Sequence, residues 1–176
     1  MAALISCKKS EIIYLSDIRQ GFIADYINGD GVQLFAAEPQ INKPINLAFD
    51  AKGRLWVSST VEYPYAAEKS RWSDPQGTRV KDSRDAIKIL EDTDGDGRAD
   101  KFTLFADRLN IPTGFTFANG GIVVAQSPRF LFLKDTNGDD VADERKVLFS
   151  GWSMNDTHAT ASNLRYGLDN WIWGTV

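Results

Sequence analysis

Apolar positions along the chain alternate over short runs, and the runs come in pairs. Leu47-Ala48-Phe49 meets Leu55-Trp56-Val57 across the turn Asp50-Ala51-Lys52-Gly53-Arg54. Phe115-Thr116-Phe117 meets Ile122-Val123-Val124 across Ala118-Asn119-Gly120-Gly121. Leu164-Arg165-Tyr166 meets Trp171-Ile172-Trp173 across Gly167-Leu168-Asp169-Asn170. A period of two, broken by Gly- and Asn-bearing turns, predicts β-hairpins. No long segment keeps a 3.6-residue period without a Gly or Pro interruption, which disfavours helices.

Two further runs accompany the hairpins. Ile89-Leu90-Glu91 and Phe132-Leu133-Lys134 each lead into an acidic loop. Val32-Gln33-Leu34-Phe35-Ala36, Phe102-Thr103-Leu104-Phe105-Ala106 and Lys146-Val147-Leu148-Phe149-Ser150 each precede a hairpin. The repeating unit is a hairpin, a third strand with its acidic loop, and a fourth strand ending Phe-Ala or Phe-Ser. Four short strands in roughly 40–50 residues match one blade of a β-propeller. The expected fold is all-β: about three four-stranded blades of a six- or seven-bladed propeller. Residues 1–30 read as a lead-in, and residues 31–176 as an incomplete propeller domain with an inserted loop at 60–86. A closed propeller needs at least about four blades, so the chain is expected to be a fragment.

Composition narrows the chemistry. The 176 residues are 43% hydrophobic and 25% charged, with a formal net charge of -4. That balance is globular, and it lacks the basic footprint of a nucleic-acid binder. No apolar run is long enough for a transmembrane helix. Cys7 and His158 are single representatives of their types. An internal disulfide, a Cys/His zinc site and a C-x-x-C-H haem attachment are therefore excluded within these residues. Any metal would be held by oxygen. Leu4-Ile5-Ser6-Cys7 resembles a bacterial lipobox, so a truncated lipoprotein signal with a lipid anchor at Cys7 is a candidate feature, against a plain free Cys.

The acidic loops supply that oxygen. Asp92-x-Asp94-x-Asp96-Gly97-x-x-Asp100 places side chains at alternate positions around one centre. Ca²⁺ takes about six to eight oxygen ligands, and the Arg98 carbonyl and the Asp100 carboxylate can complete the set. Gly97 permits the sharp turn. An EF-hand would need flanking helices and a Glu where Thr103 stands, so the loop is of the β-hairpin kind, similar to that of integrin-type blades. The second loop, Asp135-x-Asn137-x-Asp139-Asp140-x-x-Asp143, keeps the pattern with Asn137 as a carbonyl ligand and Asp140 at the turn position. Asp is tolerated at positive φ. Both loops are expected to bind Ca²⁺ in a structural role, the alternative being solvated acidic turns.

Gly151-Trp152-Ser153-Met154-Asn155-Asp156-Thr157-His158 lies just before the third hairpin. A loop leading into an innermost propeller strand opens on the axial pocket. His158 there is a candidate general base, with Asp156 as its orienting partner. A hydrogen-bonded loop His without chemistry is the competing reading.

Several runs taken together resemble one family. They are Asp92–Asp100 with Phe102–Ala106, the run Pro112-Thr113-Gly114-Phe115-Thr116-Phe117, and Gly151 through Gly174 with its Asp156-Thr157-His158 core. The chain is similar to the N-terminal propeller of the membrane-bound dehydrogenase family of Planctomycetes and related bacteria. Those proteins often continue into a c-type haem domain with C-x-x-C-H. More distantly it resembles soluble quinoprotein glucose and sorbosone dehydrogenases, which use pyrroloquinoline quinone, Ca²⁺ and a His base. The resemblance implies oxidation of a sugar or related alcohol with His158 as base. It also implies electrons passing to a haem domain outside this chain and an extracytoplasmic setting. The competing function is a non-catalytic propeller that binds a glycan or a protein, with Trp152, Trp171 and Trp173 either as contacts or as blade core.

Overall fold

The computed structural model describes residues 3–9 and 30–175. The described chain is all-β. Its strands are β1 (Ala3–Lys9), β2 (Asp30–Ala37), β3 (Pro44–Phe49), β4 (Leu55–Ser59), β5 (Asp85–Glu91), β6 (Lys101–Leu109), β7 (Pro112–Ala118), β8 (Gly121–Gln126), β9 (Arg129–Lys134), β10 (Glu144–Ser150), β11 (Ser162–Tyr166) and β12 (Ile172–Thr175). They form two antiparallel four-stranded sheets, β3-β4-β5-β6 and β7-β8-β9-β10, and two antiparallel pairs, β1-β2 and β11-β12. Two of the predicted units are thus complete meandering sheets and the third is present as its hairpin, and each predicted hairpin pairs as expected: Leu47 opposite Val57, Phe115 opposite Val124, Tyr166 opposite Ile172.

Most of the expected lead-in falls outside the described residues. Ala3–Lys9, however, is a strand opposite β2, with Cys7 across from Val32. The expected insertion differs slightly at its end, because β5 already begins at Asp85.

The sheets stack through three apolar seams. β2 covers Leu55, Val57 and Leu90 with Ala36, near Ile41. Trp56, Ile87, Ile89 and Phe105 of the first sheet meet Phe115, Ile122, Val124, Leu131 and Leu133 of the second. Val123, Ala125 and Phe130 of the second meet Leu164 and Ala161 by the third hairpin. The middle seam is aromatic: the Trp56 ring lies 4.5 Å from Phe105 and edge-on to Phe117 at 5.2 Å. The Trp56 indole N–H donates to Asp50 (3.0 Å), so a polar atom in the seam is satisfied.

A backbone bond recurs with the seams. The N–H of Ala99, in the first acidic loop, donates to the Phe35 carbonyl of β2 (2.9 Å). The N–H of Ala142, in the second, donates to the Phe105 carbonyl of β6 (2.8 Å). The Phe-Ala strand ending and the Ala-Asp loop ending are therefore two halves of one inter-sheet contact. In the first loop Gln33 adds a bond to the Asp96 carbonyl (2.7 Å). In the second, Arg54 binds Asp140 (2.7 Å) while holding Asp50 at the same distance.

The insertion between β4 and β5 is folded onto the sheets. Arg71 grips Glu62 through both guanidinium nitrogens (2.7 and 2.8 Å). Arg129 of β9 lies over the Trp72 ring at 5.0 Å. Asn110 accepts from the Ala67 N–H and donates to the Ser127 carbonyl. Asp85, fully buried, accepts the N–H of Glu62 on one oxygen and that of Ile111 on the other. Burial pushes its carboxyl up to about 6 against the pull of those N–H groups.

Two predictions follow from these contacts. Trp56→Ala empties the central seam and should cost about 3–5 kcal/mol in urea unfolding. Asp85 favours its protonated form more strongly folded than unfolded, so its contribution to stability is largest in acid and declines as pH rises from about 4 to about 6. Asp85→Asn offers one acceptor to two N–H groups. It should be destabilised by about 1–3 kcal/mol at neutral pH and should lose that decline, read as unfolding free energy at pH 4 and pH 7.

A candidate site beside His158 and two acidic loops

The meander places the loops at two opposite ends of the sheets. One end carries the connections before β3, β7 and β11, together with the 60–84 insertion. The other carries the hairpin turns and both acidic loops. His158 belongs to the first end, and Asp92 through Asp100 and Asp135 through Asp143 to the second.

His158 sits in a single turn, Thr157–Ala159, whose N-cap is Asp156. One oxygen of Asp156 accepts the His158 backbone N–H at 2.9 Å and lies 3.3 Å from Nδ1. That contact leaves Nε2 as the outward nitrogen. The imidazole is exposed, at 71% for the side chain, and the Tyr63 ring stands edge-on to it at 5.4 Å. Thr157 donates to the Pro64 carbonyl (2.5 Å), which ties this turn to the insertion. Asp156 thus lies beside the imidazole, through a backbone hydrogen bond and a contact to Nδ1.

An open cleft of about 500 Å³ adjoins the imidazole. Asn46 of β3, Thr113 of β7, and Asn163 and Arg165 of β11 line it with Tyr63. The first strands of three successive sheets thus converge beside His158. β7 and β11 approach closely at Gly114, which lacks a side chain: a Cβ there would lie 3.1 Å from the Asn163 N. The Thr113 hydroxyl donates to the Ala161 carbonyl in the same crossing (2.5 Å). Sequence analysis placed Tyr63 only within the 60–86 insertion and did not single out Asn46 or Arg165. Strand alternation identifies which residues share a sheet face, not which strand ends meet.

In the first acidic loop, Asp92, Asp94 and Asp96 each offer an oxygen, all within 4.8 Å of one another. The backbone wraps them. Asp92 accepts from Gly95 (2.7 Å) and Gly97 (2.8 Å), Asp94 from Asp96, and Asp96 from Arg98. Burial opposes it, but the N–H groups of Gly97 and Gly95 hold the Asp92 carboxyl below its ordinary value. Gly95 and Gly97 adopt φ of 77° and 87°. A Cβ on Gly97 would also displace the Gln33 amide, 2.6 Å away, so Gly suits this position both in backbone conformation and in space. Asp100 stands apart from the carboxylate trio: its oxygens accept the Thr93 N–H (3.0 Å) and hydroxyl (2.7 Å) and close the loop.

The second loop copies this geometry. Asp135 accepts from Gly138 (2.6 Å) and Asp140 (2.8 Å), Asp139 from Val141, and Asp143 from Thr136 twice. The Gly138 N–H, aided by that of Asp140, holds Asp135 below its ordinary value. Asp140 takes φ of 64° at the turn, as its type allows. The Asn137 carbonyl accepts from Asp139, and its amide nitrogen lies 3.3 Å from an Asp139 oxygen. Among the described residues, only Asp92, Asp94 and Asp96 bring three acidic side chains together.

The tryptophans divide. Trp152 is half-buried against Phe130 (4.6 Å) and Phe149 (5.3 Å). Trp171 and Trp173 are 71% and 61% exposed, so core packing does not describe them in this chain. The Trp173 indole N–H lies 3.2 Å from each Asp169 oxygen.

No curated protein and no solved structure matches the sequence. Among the described residues no helix is long and apolar enough to cross a membrane. Residues 27–176 match a family model described as a domain of unknown function, DUF7133, and the chain belongs to that family.

Proposed function

We propose that this chain forms part of an extracytoplasmic, Ca²⁺-stabilised β-propeller with a dehydrogenase-type site at its His158 end. The observation that carries the reading is the convergence of β3, β7 and β11 on an imidazole whose Nδ1 faces Asp156 at 3.3 Å. A carboxylate beside one ring nitrogen favours placing the proton there and presenting the other nitrogen as the base. Asn46, Thr113, Asn163 and Arg165 offer the polar donors and acceptors that a sugar or related alcohol needs. In the reaction His158 accepts the hydroxyl proton while the carbon–hydrogen bond breaks and the carbonyl forms. The hydride passes to an acceptor that these residues do not supply.

Pyrroloquinoline quinone is a tricarboxylate, and Arg165 is the one permanently cationic side chain lining the cleft. The described residues alone do not fit it, so no step is routed through it. The acidic loops lie at the far end of the sheets, and they fit Ca²⁺ in a structural role. Asp92, Asp94 and Asp96, with Asp135, Asn137 and Asp139 in the second loop, would hold hard-oxygen-seeking ions.

Two measurements test the two parts. Calorimetric titration of the chelator-treated chain with Ca²⁺ should give heat. Saturation at about 100-fold the dissociation constant should add about 2.7 kcal/mol of stability, and Asp94→Ala should remove both effects at the first loop. An absence of heat would end the calcium claim. For the site, sugar-dependent dye reduction with added quinone acceptor should fall about 10²–10⁴-fold in His158→Ala. Sugar binding itself should persist. Equal rates in both proteins would refute a base role for His158.

A further inference from the structure

His158 is held on both sides of its turn. Before it, the Thr157 hydroxyl donates to the Pro64 carbonyl of the insertion (2.5 Å), and the Tyr63 ring stands edge-on to the imidazole. After it, the Ala161 carbonyl accepts the Thr113 hydroxyl of β7 (2.5 Å). The two supports belong to different parts of the chain, yet they trace back to one group.

That group is Asp85, fully buried at the start of β5. One of its oxygens accepts the N–H of Glu62 (3.0 Å), the residue before Tyr63. The other accepts the N–H of Ile111 (2.7 Å), two residues before Thr113. Each arm is thus fixed within two residues of the atom that bonds the His158 segment. Asp85 is itself anchored: its N–H donates to the Ser83 hydroxyl (3.1 Å), which donates to the carbonyl of Leu109, its partner across the β5-β6 pair.

The arms differ in what else holds them. Ile111 takes a φ of 46°. A β-branched residue rarely adopts that conformation, which persists only where the surroundings impose it. The Glu62 arm has further ties. Arg71 grips the Glu62 side chain, and the Lys43 ammonium reaches the Val61 and Tyr63 carbonyls at 3.3 and 3.4 Å. Neither of those contacts involves Ile111 or Thr113, so neither relates one arm to the other. The Asp85 carboxylate does.

We infer that Asp85 is a positioning residue for His158: its two oxygens set the spacing between the Tyr63 and Thr113 walls, and so the place of the imidazole between them. Asp85 is not among the residues lining the cleft and acts only through the two arms. The inference rests on the reading of His158 as the working group of that cleft. An Asn in place of Asp85 keeps one acceptor and gains a donor, so one of the two N–H groups loses its partner and one arm is released.

The chain has one histidine, so the 176-residue protein gives a single set of imidazole signals in proton–carbon NMR. At a pH where the ring is neutral, Asp85→Asn should move the Cε1–Hε1 signal toward its position in a flexible peptide and weaken its cross-peaks to the Tyr63 ring. Thr113→Val cuts the second arm and leaves Asp85 in place. It should produce part of the same movement, and it decides the matter if Asp85→Asn does not fold. Leu90→Ala empties a buried site on the same strand away from both arms, so it should destabilise the chain and leave the signal unmoved. A folded Asp85→Asn protein with wild-type imidazole signals overturns the inference. So does an unmoved signal in Thr113→Val, and so does an equal movement in Leu90→Ala, which marks general loosening.

Sugar-dependent dye reduction keeps the two readings apart. A kcat lower by up to about 10²-fold in Asp85→Asn, with KM changed less, supports both. A displaced imidazole in a protein whose wild type oxidises no sugar removes the base role and leaves the positioning role standing. An imidazole that stays in place refutes the positioning role even where His158→Ala abolishes turnover.

Discussion

The burial of one sheet face against the next is the constraint on which the rest of this structure depends. A four-stranded meander has two faces, and neither can be left to water when both carry Ile, Leu, Val and aromatic side chains. Trp56 shows how tightly the seam is specified. Its ring fills the space between Phe105 and Phe117, and its one polar atom finds Asp50. The same Asp50 holds Arg54, which reaches the next acidic loop at Asp140. Apolar packing in the seam and charge pairing at its margin are thus fixed by one hairpin turn.

The seams also account for the cleft at His158. Stacking brings the first strands of successive sheets side by side, and the close crossing at Gly114 and Thr113 leaves polar strand ends facing one another. His158 stands there because the connection before β11 must cross that opening. The insertion supports it from the other side through Pro64 and Tyr63, and is itself anchored by the buried Asp85 and Asn110. Segments far apart in the chain build this region.

That difference explains what could be read from the sequence. Hairpins and the loop turns were legible because each is set by residues close together in the chain, and the strand order followed from the repeat of the unit. The positive φ at Asp140 follows from its alignment with Gly97, and the period-two runs leave little choice of pairing. The partners of His158 were legible only where they are local, as with Asp156. Asn46 and Arg165 depend on how sheets stack, which alternation does not encode. The separation of Asp100 and Asp143 from the other carboxylates was equally hidden. Spacing places them at the end of the loop, but the neighbouring threonines take their oxygens.

The bonds from Ala99 to Phe35 and from Ala142 to Phe105 carry a consequence for how the molecule melts. Stacked repeats behave as a line of units, each stabilised mainly by its neighbours. Here part of that nearest-neighbour coupling runs through the acidic loops, because the residue just before the one that closes each loop grips the sheet before it. Whatever orders a loop therefore raises the cooperativity of unfolding across two sheets, and whatever loosens it lets adjacent sheets open at different temperatures. The loops act on the collective behaviour of the array while lying at the end of the sheets farthest from His158.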